Sequence, residues 1–579
     1  MNTFTQPSTA NNKPDKETRT TPPQSRARRA LAWMREHRPT ISTELLLLIV
    51  CVYFTLLCNT QFWMALVSGR SSGGDTWYYI FAAGIALTGL HFLVIAPFLN
   101  RWTSKVLLSL LVVIATGANY YSAKFHVYFD PSMLRNMLQT DVKEASELLS
   151  MGMVVQVLLL CLPAVLLVNF VQLRRTPPLR AVIRRTLSCL LALLVLIAGL
   201  GSIFKDFSSH MRNNKEVRYL ITPSAILWSL GTVLSVDASA PNTPRKPIAS
   251  DAHLGPSWQK AQKPALMVFI VGETARAQNW GLNQSHITPK PRNTTPQLAQ
   301  RDVINFPDMH SCGTNTEVSL PCMFSLQGRR NYNEKEIRNS ESLLHVLDRA
   351  GLRVVWSENQ SGCKGVCEGL ETILPSRQAF PALCEGAHCM DMALLESTKS
   401  LMRDSNGNLV VFLHQMGNHG PAYFKRHPDA FTHFTPTCNT EDLSQCSKEQ
   451  IANSYDNALR YTDHLLTQTL DFLTEMEAKY DTALIYVSDH GESLGENGIY
   501  LHGIPYSIAP KEQTHIPMVM WFSQGFTQRR ALDIDCIKQR AQEKTSHDHL
   551  FHTMLGLLDI RTQALDERMD LTASCRTAS

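Results

Sequence analysis

The hydrophobic pattern divides the chain into two unlike parts. Up to about residue 207, long apolar runs alternate with short polar segments, whereas the chain after about residue 250 mixes short apolar runs with polar and turn residues. One apolar run could be a buried core helix, but five in succession, nearly free of charge and close to the roughly 20 residues that cross a bilayer core, predict membrane spans. We place these spans at residues 44–67, 77–99, 104–125, 153–173 and 186–206.

The basic residues between the spans predict the orientation of the chain. Arginine and lysine are frequent in the N-terminal arm and in the loops after the second and fourth spans, while the loop after the first span offers only Arg70. Loops rich in these residues stay in the cytoplasm. The N-terminus is therefore predicted to be cytoplasmic, and everything after residue 207 to be exported. No small-residue cleavage site follows the first span, so that span is not predicted to be a cleaved signal peptide.

The cysteines support an exported domain. Of the 14 cysteines, four fall in the predicted spans and ten follow residue 311. An even set of close pairs in an exported domain indicates disulfides, and the varied spacing argues against zinc-binding thiols. Proximity pairs Cys312 with Cys322, Cys363 with Cys367, Cys384 with Cys389 and Cys438 with Cys446, which leaves Cys536 for Cys575.

The exported part shows the pattern of an α/β fold. Strand-like segments at 264–271, 352–356, 409–413, 482–487 and 516–521 are separated by helical segments such as 340–350 and 450–476, which predicts a largely parallel sheet. Ligands of such sheets gather beyond the carboxyl ends of the strands. The whole chain then has four predicted parts: a disordered basic cytoplasmic tail (1–41), five transmembrane helices (42–207), membrane-surface helices with a linker (208–262) and the exported domain (263–579).

Polar side chains follow the ends of two predicted strands. Glu273 comes directly after the first strand, and Asp489 and His490 come directly after the fourth. Taken alone, Glu273 is explained equally well as a helix-capping residue, and an Asp-His-Gly turn can form without a metal. Carboxylates and an imidazole at strand ends are nevertheless ligand types that zinc accepts, and Gly491 would let the backbone turn sharply.

Thr316 carries a hydroxyl in the short cysteine-bounded loop CGTNTEVSLPC at 312–322. At the start of a helix, Thr316 would usually be an N-cap. The same position suits an anionic oxygen and a phosphate, because helix amides and the helix dipole favour them, and a bound metal would make the hydroxyl a nucleophile. His419 and His502 lie in glycine-containing turns, where a lone histidine is usually incidental. Several such features in one domain favour a catalytic site.

At these segments the chain closely resembles the lipid A phosphoethanolamine transferases, the family that includes the mobile colistin-resistance enzymes. The resemblance covers the spans and the exported domain but not the long N-terminal tail. It rests on GETAR at 272–276, CGTNTEVSLPCMFS at 312–325, HQMGNHGPAY at 414–423, SDHGESLGENGIYLHG at 488–503 and APKEQTHIPMVMW at 509–521.

The resemblance implies a five-helix membrane domain in the bacterial inner membrane and an alkaline-phosphatase-like (sulfatase-like) periplasmic catalytic domain. It implies that one catalytic zinc ion is bound by Glu273, Thr316, Asp489 and His490. It further implies that His419 and His502 contact the phosphoryl group or a second zinc ion, and that one of them acts as general acid or base.

The resemblance also implies a two-step reaction. Thr316 attacks the phosphorus of phosphatidylethanolamine and releases diacylglycerol, and a phosphate of lipid A then takes up the phosphoethanolamine group. This lowers the negative charge of lipopolysaccharide and implies polymyxin resistance. Substrate contacts are expected at Lys364, Asn359 and Gln360, where Gln360 replaces the asparagine of some relatives. We expect a monomer that lies in the membrane, uses phosphatidylethanolamine as donor and lipid A as acceptor, and binds no nucleic acid.

Other functions fit the residues less well. A sulfatase needs an arginine as the fifth residue of a C/S-x-P-x-R motif, where Ser319-Leu320-Pro321-Cys322-Met323 has Met323 instead. Glycerol-phosphate transfer, as in lipoteichoic acid synthases, is disfavoured because the cysteine-rich loops and the quoted motifs fit that group poorly. A membrane-anchored sensor with a structural zinc is disfavoured, because structural sites commonly use Cys and His rather than a hydroxyl. Transfer to a core sugar of lipopolysaccharide or to a periplasmic glucan is the main alternative for the acceptor.

Overall fold

The computed structural model describes residues 38–140, 142–238, 244–283, 292–385, 388–403 and 405–577. The predicted disordered tail therefore lies outside the described residues, apart from its last few positions. The N-terminal half is helical. Its helices are α1 Thr43–Leu57, α2 Thr60–Val67, α3 Gly74–Ile95, α4 Ser104–Phe125, α5 Pro131–Gln139, α6 Val142–Glu147, α7 Met151–Phe170, α8 Pro178–Ser202, α9 Phe204–Asn213 and α10 Ser224–Ala238.

Four helices in the described part of the chain are long and apolar enough to cross a membrane, namely α3, α4, α7 and α8. A fifth span results if α1 and α2, which meet at a bend of 57°, are taken as one. The prediction of a multi-helix membrane domain is confirmed, with the difference that its first span is broken.

The last span begins earlier than predicted. α8 starts at Pro178, a residue whose fixed backbone angle suits the first turn of a helix. Arg184 and Arg185 consequently lie inside the helix and pair with Glu44 at the start of α1. The apolar run marks only the part of the helix in the membrane core, which is why hydrophobicity alone missed the first two turns.

Two glycines bring α3 and α8 into close contact. A Cβ at Gly89 would lie 3.0 Å from the carbonyl oxygen of Ala192, and one at Gly199 would lie 3.0 Å from that of Ala82. Small residues at such contacts let membrane helices pack by van der Waals attraction. No residue of α8 is fully buried, so this helix lies at the edge of the bundle.

The C-terminal half is built on one eight-stranded sheet with the order β8-β2-β7-β6-β1-β5-β3-β4. Its strands are β1 Ala265–Gly272, β2 Ile304–His310, β3 Arg353–Glu358, β4 Glu371–Ile373, β5 Leu409–His414, β6 Asp481–Ser488, β7 His515–Phe522 and β8 Thr545–Ser546. Only β7 runs against its neighbours in this sheet, since it pairs antiparallel with both β6 and β2. The predicted α/β class is confirmed, and β2, β4 and β8 are additions to the predicted strands.

Helices cover both faces of this sheet. They are α11 Thr316–Met323, α12 Glu334–Asn339, α13 Leu343–Arg349, α14 Met392–Arg403, α15 Lys448–Met476, α16 Lys511–Thr514, α17 Gln524–Arg530, α18 Ile534–Arg540 and α19 Leu550–Leu557. The alternating side chains of β1 enter two separate hydrophobic cores, one on each face, as Phe269 and Ile270 illustrate. Residues that we predicted as linker also contribute, because Ile248 and Ala252 are buried in the first core.

Five disulfides join cysteines of the C-terminal half. They are Cys312–Cys322, Cys363–Cys367, Cys384–Cys389, Cys438–Cys446 and Cys536–Cys575, the pairs that proximity predicts. The first of them closes the loop that contains Thr316, so it restrains the start of α11.

We expect reduction of the full-length chain in detergent to lower its melting temperature, since each cross-link typically stabilises a domain by roughly 2–4 kcal/mol. The double variant Cys312→Ala/Cys322→Ala should show part of this loss without reductant. Cys189, whose thiol is free, supplies the control variant Cys189→Ala. An unchanged melting temperature in reductant would contradict the prediction.

Candidate active site

The polar residues at the strand ends meet at one edge of the sheet. β1 and β6 are adjacent and parallel, and Val271 is level with Val487. Glu273 and Asp489, each just beyond its strand, therefore lie side by side. Thr316 reaches the same edge from the loop after β2, as the first residue of α11.

The N-cap of α11 is Asn315 rather than Thr316. The Asn315 side chain accepts a hydrogen bond from the backbone N–H of Val318 at 3.0 Å. The capping role that the sequence offered for Thr316 is therefore taken by its neighbour. The Thr316 hydroxyl is left to point at the strand ends.

Four buried side chains converge there. The Thr316 hydroxyl donates to Glu273 Oε2 at 3.0 Å and lies 3.4 Å from His490 Nε2. The same His490 nitrogen is 3.4 Å from Glu273 Oε1 and 3.3 Å from Asp489 Oδ2. Thr316 is 4% exposed and the other three side chains are fully buried, so this polar cluster is shielded from bulk water.

The surroundings of His490 prepare its Nε2 to act as a ligand. Its Nδ1 lies 3.0 Å from the carbonyl oxygen of Gly491, so Nδ1 carries the hydrogen and the Nε2 lone pair faces the carboxylates. Burial lowers the pKa of His490 below its ordinary value. A neutral imidazole held by a backbone carbonyl is the form in which histidine binds metals.

The cluster fits a zinc ion. Ligand atoms of Glu273, Asp489 and His490 all lie within 4.8 Å of one another. Asp489 Oδ1 accepts from the backbone N–H groups of Thr274 and His490, whereas its buried Oδ2 accepts no hydrogen bond in the described structure. Two adjacent buried carboxylates repel each other, and a cation between them would remove that cost.

A second group of ligand atoms shares Glu273 with the first. Glu273, His419 and His502 also bring ligand atoms within 4.8 Å of one another. Burial, followed by the nearby His502, lowers the pKa of His419 well below its ordinary value. The rings of His490 and His502 are 4.5 Å apart, so both groups form one site.

Sequence reasoning missed the carboxylate that holds His502. Glu492 is fully buried, and its Oε2 lies 2.7 Å from His502 Nδ1. Its other oxygen accepts a hydrogen bond from the Tyr423 hydroxyl at 2.7 Å. The signal was in the motif itself, because Glu492 follows Asp489 and His490 within the same strand-end turn.

Two glycines are required by close contacts at the site. A Cβ at Gly491 would lie 2.2 Å from the Glu512 carbonyl oxygen. Gly491 therefore makes room for that backbone, and its own φ is not positive. Gly417 has a positive φ of 52° and packs against the backbone of Glu273, which brings the segment carrying His419 to the site.

The three predicted substrate contacts lie on the loop after β3. Lys364 donates to the Ser361 carbonyl and hydroxyl at 2.9 and 2.8 Å, and it acts electrostatically on both Glu317 and His419. The Asn359 amide instead donates to Asp391 and to the Cys389 carbonyl. Gln360 accepts hydrogen bonds from Ser361. Lys364 is thus the member of this set whose charge reaches the site.

A chain of charges connects the membrane domain to α11, the helix that begins at Thr316. Arg135 of α5 pairs with Glu334, which also accepts from Arg338 at 3.2 Å. Arg338 in turn donates to the carboxylate and the carbonyl of Glu317, the neighbour of Thr316. Arg135 and Glu317 are 2% and 0% exposed. Each charge is therefore compensated by its ion-pair partner rather than by water.

A second ion pair joins the membrane domain to the turn that holds His419. Arg426 pairs with Glu147 at the end of α6, and both side chains are buried. The same guanidinium donates from Nε to the carbonyl oxygen of His419 at 2.7 Å. The segments that carry Thr316 and His419 are therefore both held by ion pairs to helices of the membrane domain.

We expect Arg135→Gln to lower the turnover number at least about tenfold while leaving bound metal unchanged. Breaking a buried pair leaves an uncompensated charge, at a cost of roughly 3–5 kcal/mol, and here that charge adjoins the support of Thr316. Kinetics and metal content of the purified full-length protein measure the effect. Arg135→Lys should recover part of the activity, and the exposed neighbour variant Lys335→Gln should behave as wild type. Equal turnover in Arg135→Gln and Lys335→Gln would contradict the prediction.

Comparison with known protein families agrees with this architecture. Residues 265–560 match the sulfatase family, and residues 87–238 match the family described as phosphoethanolamine transferase EptA/EptB. The phosphoethanolamine transferase EptA of Escherichia coli K12 is 34% identical over 94% of this chain and 98% of its own length. The phosphatidylethanolamine transferase Mcr-1 of Escherichia coli is 32% identical over 92% of this chain and 98% of its own length.

A solved structure supports the same relationship. The integral membrane lipooligosaccharide phosphoethanolamine transferase A from Neisseria meningitidis superimposes with a TM-score of 0.86 at 35% identity. The match covers 93% of this chain and 100% of that one, so it includes both the membrane helices and the sheet domain. This chain is a membrane protein with a C-terminal catalytic domain, and it belongs to the phosphoethanolamine transferase family.

Proposed function

We propose that this chain transfers phosphoethanolamine from phosphatidylethanolamine to a phosphate of lipid A at the periplasmic face of the bacterial inner membrane. The transfer passes through a phosphoethanolamine ester of Thr316. The observation that carries this proposal is the buried Thr316 hydroxyl at a helix N-terminus, hydrogen-bonded to Glu273 and in contact with His490.

In the first step the Thr316 oxygen attacks the phosphorus of phosphatidylethanolamine. The bond from phosphorus to the glycerol oxygen breaks, and diacylglycerol leaves after this oxygen takes up a proton. Glu273 accepts the hydrogen bond of the attacking hydroxyl, which favours loss of its proton. The N-terminal amides of α11 stabilise the negative charge that develops on the phosphoryl oxygens.

In the second step an oxygen of the lipid A phosphate attacks the same phosphorus. The bond to Thr316 breaks, and the threonine oxygen regains a proton. His502, oriented by Glu492, is the group that we assign to proton transfer. His419 borders the same space, and Lys364 supplies positive charge near it.

Glu273, Thr316, Asp489 and His490 would hold one zinc ion. When bound, zinc supplies positive charge that lowers the hydroxyl pKa of a ligand and polarises phosphoryl oxygens. Donor type and burial support this assignment, because the four groups offer carboxylates, a neutral imidazole and a hydroxyl in a dry setting. The second group, Glu273 with His419 and His502, has the composition to hold a further ion.

A core sugar of lipopolysaccharide is the second candidate acceptor. One relative, the Kdo(2)-lipid A phosphoethanolamine 7''-transferase of Escherichia coli K12, is 28% identical over 90% of this chain. The relatives named EptA and Mcr-1 have higher identities, at 34% and 32%, which favours the lipid A phosphate.

Mass spectrometry of lipid A from cells with and without this chain tests the proposal. We expect lipid A to gain phosphoethanolamine only when the chain is present, and polymyxin susceptibility to fall in parallel. Cells that express Thr316→Ala at an equal level are the control. A modified core sugar together with unmodified lipid A would select the second candidate. No modified lipopolysaccharide at all would overturn the proposal.

A further inference from the structure

An apolar cavity lies in the membrane domain, apart from the candidate active site. It has a volume of about 360 Å³ and is lined mainly by α3, α8 and α9. Phe207 and Met211 of α9 form one wall, Leu90 and Leu200 contribute to the others, and Lys215 and Arg218 are the charged residues of the lining. A space of this size is at the small end of the roughly 300–1,000 Å³ of ligand pockets.

In the proposed orientation of the chain, the α8 lining of the cavity lies in the outer half of the membrane, and Leu90 of α3 extends the cavity toward the bilayer midplane. Its α8 residues, Leu196 and Leu200, are within six residues of the end of that helix at Ser202. At 1.5 Å per residue this places them within about 9 Å of the outer end of a helix that crosses a core roughly 30 Å thick.

The segment beside the cavity is suited to the membrane surface. α9 is amphipathic, with Phe207 and Met211 turned inward and Lys205 and Arg212 exposed. Lys215 and Arg218 follow on the next turn, are exposed, and have no carboxylate partner in the described part of the chain. Amphipathic helices of this kind lie at the level of the lipid headgroups.

The segment that carries the charged lining residues contacts the catalytic domain. Glu216, between the two cations, accepts a hydrogen bond from the Ser507 hydroxyl at 2.7 Å. Ser507 follows the segment in which His502 faces the active site and Ile504 accepts a hydrogen bond from Thr314. The cations therefore lie where the membrane surface meets the domain that carries Thr316.

We propose that this cavity is a docking site for the phospholipid donor. One acyl chain fills the apolar space, and the phosphodiester is bound by Lys215 and Arg218 before it moves to Thr316. The cations match the charge of a phosphodiester, and the narrow space favours a single chain over the several chains of lipid A. This inference rests on the proposed function for the identity of the donor, while binding itself does not depend on turnover.

Two variants test the site against two matched controls. Leu200→Trp fills the cavity, and Leu194→Trp adds the same side chain to the lipid-facing side of the same helix, where Leu194 is 62% exposed. Lys215→Gln/Arg218→Gln removes the cations, and Arg212→Gln removes an exposed cation outside the cavity. Binding of phosphatidylethanolamine is measured by native mass spectrometry in a Thr316→Ala background, and transfer kinetics are measured in the wild-type background in nanodiscs.

We expect Leu200→Trp and Lys215→Gln/Arg218→Gln to lose most of the bound lipid and to raise the KM for long-chain phosphatidylethanolamine at least fivefold. Their kcat should stay within twofold, and a short-chain donor should be affected less. The two controls should behave as wild type. Equal binding in all variants, or a rise confined to the KM for lipid A, would overturn the site. Wild-type protein that binds but never cleaves the donor would instead contradict the proposed function.

Discussion

Thr316→Ala is expected to abolish transfer, with a loss on the order of 10⁴-fold or more in kcat, because the variant lacks the oxygen that would form the covalent bond. The wild-type protein incubated with phosphatidylethanolamine alone should gain one phosphoethanolamine group in its intact mass. The Thr316→Ala protein should gain none. Insertion of the protein into the membrane and formation of the disulfides depend on other residues. The melting temperature of Thr316→Ala in detergent should therefore stay near that of the wild type.

Thr316→Ser separates chemistry from packing. It restores a hydroxyl on the first residue of α11, where Asn315 still caps the helix and Glu273 can still accept the hydrogen bond. We expect this variant to form the adduct and to recover a large part of the activity. A Thr316→Ala protein that still carries the adduct would show that another residue is the nucleophile. An inactive but well-folded Thr316→Ser protein would also count against the assignment.

The elements that sequence predicted best are those whose burial is uniform. β1, β5 and β6 are buried along their entire length, and their unbroken apolar runs are visible without a structure. β2 was missed because its burial alternates and Pro307 interrupts its pattern. β8 has only two residues, too few for any periodicity. The reversed direction of β7 depends on which strands it pairs with, and composition carries no information about that.

The candidate site was predictable where residues follow the carboxyl ends of parallel strands, because those ends lie at one edge of the sheet. Glu273 and Asp489 do so, but only the structure shows that their two strands are neighbours. The direction of the Thr316 hydroxyl was not predictable, because it depends on Asn315 capping the helix. The support from the membrane domain was also invisible, since Arg135 and Glu334 are 199 residues apart and their pairing follows from how two domains dock.

The contrast between two buried aspartates offers the sharpest test of the metal assignment. Asp391 accepts hydrogen bonds from Asn359 and from the backbone N–H groups of Met416 and Gly417, so its oxygens are satisfied by protein donors. Asp489 has one buried oxygen that accepts no hydrogen bond in the described structure and lies beside the Glu273 cluster. The two aspartates are similarly buried but have different partners. We therefore expect Asp→Asn to have opposite effects on zinc content and stability at the two positions.

We expect Asp489→Asn to abolish transfer and to lose bound zinc, measured by elemental analysis of the purified full-length protein. In metal-free protein its melting temperature should equal or exceed that of the wild type, because one of two repelling carboxylates is gone. Added zinc should raise the melting temperature of the wild type but not of this variant. Asp391→Asn should be less stable yet keep its zinc, since its carboxylate is used only by protein donors. Full zinc content in Asp489→Asn, or zinc loss confined to Asp391→Asn, would refute the ligand set.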